Sequence, residues 1–144
     1  MAYELVWEPE GVLNRLSGAV SAREFIRSIE KIQGAPQFHE ASYVINDFSD
    51  VTEREIGQQA LEHLAAFHFG VLAYHPNCRM IFVTDSPEFM ALINKVLRSS
   101  KFSSYPVQVL PTLTEARDWL ADQPDPNLQS AFMSLRGMYP PEGY

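Results

Sequence analysis

Apolar positions along the chain recur in two rhythms. Two short runs of β-formers, Tyr3-Glu4-Leu5-Val6-Trp7-Glu8 and Val12-Leu13-Asn14-Arg15-Leu16-Ser17, flank the turn signal Pro9-Glu10-Gly11 and predict an antiparallel hairpin. Gly18 is expected to release the chain toward a first helix. Further apolar runs, Tyr43-Val44-Ile45 and Met80-Ile81-Phe82-Val83, are nearly continuous and predict central strands buried on both faces. Val107-Gln108-Val109-Leu110 alternates, as an edge strand does.

Between these runs the spacing changes to that of one buried helix face. The stripes are Phe25, Ile29, Ile32; then Ile56, Ala60, Leu61, Leu64, Phe67; then Phe89, Leu92, Ile93, Val96, Leu97; and last Leu113, Ala116, Trp119, Leu120. Each stripe is preceded by a start signal. Ser21 and Glu24, Thr52 and Glu55, and Thr112 and Glu115 have capping-box spacing, in which the hydroxyl satisfies an orphan N–H and the carboxylate reaches back. Ser86-Pro87 offers a cap followed by a proline at the first helical position.

The resulting order is β-β-α-β-α-β-α-β-α, an α/β fold with a mixed five-stranded sheet and four helices. Strands separated by helices are expected to run parallel through right-handed crossovers, with the hairpin strand at one side. This unit spans residues 1–122. The remainder, 123–144, reads as a tail, with a short amphipathic stretch from Asn127 to Arg136 and an irregular, aromatic and proline-rich end.

Composition narrows the function. The 144 residues fit one ordinary domain, and 46% hydrophobic residues are enough for a real core. The formal charge of -7 and the lack of a concentrated basic face argue against nucleic-acid binding. A single cysteine, Cys78, excludes an internal disulfide and a multi-cysteine metal cluster. No apolar run approaches the roughly 20 residues of a membrane span, and no signal-peptide core follows Met1, so a cytoplasmic protein is expected.

The order of elements, Gly18-Ala19-Val20-Ser21 at the entry to the first helix, Val44-Ile45-Asn46-Asp47-Phe48 closing a central strand, and Glu115-Ala116-Arg117-Asp118-Trp119-Leu120 together resemble STAS-type domains. Within them the chain is similar to the SpoIIAA-like group related to anti-sigma-factor antagonists. The resemblance covers about Tyr3 to Asp122. It implies a small α/β module that binds partners or ligands and performs no chemistry itself. The leading expectation is a noncatalytic regulatory or protein-binding module without a cofactor, binding a protein partner or forming a homodimer through the second and third helices and the tail. The resemblance also implies a second reading, a phosphorylatable switch, because antagonist-type members carry a phosphorylated serine after the third strand, at the start of the second helix. The corresponding segment here is Asp47-Phe48-Ser49-Asp50-Val51-Thr52, with Ser49 and Thr52 as the available acceptors.

The residues themselves favour a simpler role for that segment. A helix N-terminus attracts phosphate, but Asp47, Asp50, Glu53 and Glu55 crowd the same stretch and oppose a dianion. Ser49, Asp50 and Thr52 are expected to cap the second helix. Asp47 and Asp85 fall at the carboxyl ends of parallel strands, where ligands of open α/β sheets bind, and with Ser49 and Ser86 would form a polar site. A simple helix start at Asp85-Ser86 is the favoured alternative. The run from Ala65 to Tyr74 is more apolar than one helix face needs, so Phe67, Phe69, Leu72 and Tyr74 are candidates for an interface or for a pocket holding a small apolar or lipid-like ligand. His63 and His68 are five apart, a spacing that does not set two ligands on one helix face, and no metal is expected. No nucleophile elbow, phosphate loop or dinucleotide fingerprint occurs, which leaves a small hydrolase or transferase as the least supported class.

Overall fold

A computed structural model describes residues 2–72, 78–98 and 107–123, the side chains of 67–72 excepted. Five strands are β1 (Tyr3–Trp7), β2 (Gly11–Ser21), β3 (Tyr43–Glu55), β4 (Arg79–Val83) and β5 (Val107–Leu110). Four helices are α1 (Ala22–Gly34), α2 (Gln58–Leu72), α3 (Pro87–Leu97) and α4 (Leu113–Ala121), with a 3₁₀ turn at Pro36–Glu40 before β3. The sheet order is β1-β2-β3-β4-β5; β1 is antiparallel to β2, and every other pair is parallel. The expected mixed α/β sheet is therefore present, with β1 and β5 at its edges.

Alternation along the strands divides the core in two. Val12, Leu16, Val44, Phe48, Met80 and Phe82 pack with Phe25, Ile29 and Ile32 of α1, Leu61 and Leu64 of α2, and Phe89 and Ile93 of α3. Leu13, Ile45, Ile81 and Val83 point the other way, against Ala116 of α4 and its half-buried neighbours Leu113, Trp119 and Leu120. Three helical starts form as their caps dictate. Ser21 and Glu24 make the reciprocal capping box, and the Ser86 and Thr112 hydroxyls accept from the backbone N–H groups of Phe89 and Glu115.

Two polar groupings tie these layers together. Asn14 and Asn46 are register partners on β2 and β3 and are fully buried. The Asn14 amide donates to Asn46 Oδ1 at 3.1 Å and to Ser28 Oγ of α1 at 2.8 Å, and Ser28 donates to the Phe25 carbonyl at 2.6 Å. Such a network is costly when broken, because its members are then left buried and unpaired. On the opposite face, Arg117 of α4 grips both carboxylate oxygens of Glu8 at 2.6 Å, and the Tyr43 hydroxyl donates to the same carboxylate. The Tyr43 ring lies over Gly11, where a Cβ would come within 2.5 Å of it; only glycine leaves that space.

Two boundaries differ from expectation. β2 does not end at Ser17 but continues through Gly18 to Ser21, directly into α1. β3 continues from Ile45 to Glu55, so Thr52 and Glu55 belong to a strand and α2 begins at Gln58. The expected cap at Thr52 is therefore absent: its spacing is satisfied by a helix only where the chain turns, and here parallel pairing with β2 holds it extended. Ile56, assigned by periodicity to the second helix, is buried just ahead of it.

Candidate functional site

The long strands create the site. β4 pairs with β3 only from Tyr43 to Asp47 and stops at Val83, whereas β2 and β3 pair onward to Ser21 and Glu55. A two-stranded ribbon thus projects beyond the carboxyl end of β4. Its register shifts twice. Arg15 faces Asp47 but Ser17 faces Asp50, and Gly18 faces Val51 but Ala19 faces Glu53, so β3 carries an extra residue at each step. The first bulge is held by Asp47, whose Oδ1 accepts from the Ser49 backbone N–H at 3.0 Å and from the Ser49 hydroxyl at 2.6 Å. A bulge leaves an N–H without its ladder partner, and the aspartate side chain takes it up. At the second, Gly18 adopts φ +67°, the left-handed region that glycine enters without penalty.

Between this ribbon and the turn from β4 to α3 lies a cleft of about 110 Å³. Phe48, Ser49, Val51, Thr52 and Arg54 line one side, and Thr84, Asp85 and Ser86 the other. The structure therefore brings Ser49, Thr52, Asp85 and Ser86 together, with Asp47 behind Ser49, beyond the carboxyl end of β4. Asp47, expected at a strand end, lies inside β3, because pairing with β2 carries that strand on to Glu55. Ser86 also serves as the α3 cap, and Thr84 Oγ1 accepts from the Ser86 backbone N–H at 3.2 Å. The helix start expected at Asp85-Ser86 is thus formed, and Ser86 lines the cleft as well.

Phe48 joins the cleft to the aromatic core behind it. Phe48 packs edge-on against Phe25 and Phe89, with ring centroids 5.4 and 4.9 Å away, and lies stacked over Phe82 at 6.3 Å. The Arg54 guanidinium sits 3.9 Å above the Phe89 ring, and its Nε is buried without a hydrogen-bond partner. Burial lowers the Arg54 pKa from its usual value, and the nearby Glu88 charge works in the other direction. Arg54 and Thr84 were not among the residues singled out from sequence, and Phe89 was read there only as part of a buried helix stripe. Arg54 stood inside an expected helix, and only the strand reading brings it to the cleft wall.

The switch turn is corrected in place. Ser49 and Thr52 are exposed residues of β3, not residues at a helix start. The residues immediately before α2 are Glu55, Ile56 and Gly57, none of which carries a hydroxyl. Of the apolar candidates, Phe67, Phe69 and Leu72 lie on α2 with their side chains outside the described residues, and Tyr74 is outside them altogether. Cys78 precedes β4 at the end of the sheet away from the cleft; it is buried, and burial pushes its thiol up to about 12. Among the described residues no histidine lines the cleft, and no three His, Cys, Asp or Glu side chains are grouped to hold a metal. None of their helices is long and apolar enough to cross a membrane.

No family model matches the chain, and no curated protein matches it. A solved structure does. The anti-sigma factor antagonist SpoIIAA in its unphosphorylated form superposes with a TM-score of 0.56 at 20% identity, over 85% of this chain and 100% of that one. The chain has the SpoIIAA fold. In this example of the SpoIIAA fold, the cleft beside β4 is walled by the extension of β3, and the start of α2 carries no phosphoacceptor side chain.

Proposed function

We propose that this protein is a noncatalytic regulatory module that works by binding another protein through the cleft and the ribbon beside it. One observation carries the reading: the polar groups of the cleft shape the turn or stand at its rim, and the hydroxyl–carboxylate pair of Ser49 and Asp47 is engaged in holding the β3 bulge. Ser49 donates to Asp47 and Ser86 caps α3, while Thr52 and Asp85 remain exposed. A volume of about 110 Å³ is small beside the roughly 300–1,000 Å³ of sites that enclose drug-sized ligands, so the cleft favours a side chain of a partner over an apolar cargo. The likeness to an anti-sigma factor antagonist agrees with this reading through the fold.

Affinity purification from the source cells tests it. The tagged wild-type chain is compared with a Thr52→Lys/Asp85→Lys double variant of unchanged thermal melt. A protein retained by the wild type in fixed proportion and lost by the variant is the expected result. Identical profiles for both chains, or turnover in a broad substrate panel that the double variant abolishes, would overturn it.

A further inference from the structure

The ribbon has a feature that a cleft alone does not provide. From Asp50 to Glu55, β3 pairs with β2 on one side, and among the described residues no strand lies on the other, because β4 has ended at Val83. These six residues offer about 20 Å of strand edge, close to an average strand length. Unpaired edges invite another strand, and proteins ordinarily blunt them with charges and bulges. Here both devices are present, and the charges are of one sign. Asp50, Glu53 and Glu55 on the ribbon and Asp85 and Glu88 across the cleft are all exposed, whereas Arg54 is laid against Phe89.

We propose that the edge of β3 between Asp50 and Glu55, which no described strand pairs with, takes an extended, basic segment of a partner protein as an added strand. The inference rests on the protein-binding reading above and names the kind of partner. Charge decides the occupant. A second copy pairing antiparallel along this edge would crowd Asp50, Glu53 and Glu55 of one strand against the same carboxylates of the other, and like charges brought close across a strand pair are destabilising. The same carboxylates attract lysine and arginine, so one pattern excludes the copy and selects the basic segment. The backbone edge supplies hydrogen bonds, and the cleft takes side chains on one face of the incoming strand. Asp85 at the cleft rim gives a basic side chain its carboxylate.

Selection of random peptides displayed on phage against the immobilised full-length chain is the test. Enriched peptides are expected to carry net positive charge, with Lys or Arg alternating with β-formers. A synthetic copy should lose about tenfold or more in affinity when alternate backbone amides are N-methylated in the pairing register, which spares every side chain. The Glu53→Lys/Asp85→Lys variant should show a loss of similar size at unchanged thermal stability. Amide exchange should slow at Asp50–Glu55 when peptide is bound. Retained affinity after N-methylation in both registers, or exchange protection confined to another face, would overturn strand addition while leaving a protein-binding role standing. Protection of this edge in the free protein that grows with concentration would identify a second copy and overturn the proposal. Absence of any enriched peptide would also overturn it, and together with identical purification profiles would remove both readings.

Discussion

Glu8, Tyr43 and Arg117 show how a few side chains fasten the thinner layer of the molecule. Only α4 covers that face among the described elements, and its apolar contact is small. The Arg117 hydrogen bonds hold the Glu8 carboxyl below its usual pKa, against the opposing effect of burial, with the Tyr43 hydroxyl adding to the lowering. A carboxylate with a depressed folded-state pKa contributes stability above its unfolded value, and that contribution is lost as pH falls through the folded one. Tyr43 works at the other extreme. Burial, and then the Glu8 carboxylate, push its hydroxyl up to about 12. A raised pKa means the contribution is intact below the unfolded value near 10 and lost as pH rises toward 12. Arg117→Met should therefore flatten the acid limb of a plot of unfolding free energy against pH. Arg117 is 39% exposed, so solvent screening keeps the expected loss at neutral pH to about 0.5–1 kcal/mol. Urea titrations across pH would show it; an acid limb identical to wild type would deny the clasp its role.

At the scale of elements, the sequence disclosed the layers better than it disclosed the strand ends. Ser21, Ser86 and Thr112 start helices because each precedes an apolar stripe that the sheet can bury. Thr52 and Glu55 have the same spacing, yet they lie in β3, where pairing with residues some 30 positions away replaces the local cap. Nothing local announces such pairing, and the two bulges shift the alternation that would otherwise have revealed a strand. Asp85 was legible because it follows the end of β4, whereas Asp47, expected at a strand end, lies inside β3 where the pairing with β4 stops, and Arg54 was hidden by the helix assigned to it. The ribbon gives its own prediction. Gly18 has φ +67° and open space where a Cβ would sit, so substitution there tests backbone strain without a clash. Gly18→Ala should cost about 1–2 kcal/mol, and Gly18→Asn less, since asparagine tolerates the left-handed region. Equal losses from the two would mean that the glycine serves something other than its dihedral angle. Thermal melts would rank the variants, and amide exchange from Asp50 to Glu55 would locate the loosening in the ribbon.

For the whole molecule, the placement of Cys78 turns a single atom into a gauge of global folding. It is 4% exposed, it belongs to the larger core cluster, and it sits where the chain enters β4, between β3 and β5 in the sheet. Its thiol is pushed up to about 12 by burial, the positive charge of Arg79 opposing only part of that effect. The thiolate is the reactive form, so at neutral pH the folded protein presents neither the anion nor a path to it. Labelling must then wait for an opening that takes β4 from the sheet. Because β4 pairs on both sides, that opening is expected to be the global one, with the population set by overall stability. Modification by a disulfide reagent at neutral pH should be about 10³-fold or more slower in buffer than in denaturant. It should also accelerate in step with each destabilising variant, so that Gly18→Ala raises the rate by the factor its loss of stability dictates. A rate in buffer near that of the unfolded chain would show that the entry to β4 opens by itself. In that case the cleft at the other end of the strand would stand on a sheet able to part in its middle, and a partner held along β3 would slow labelling at a distance.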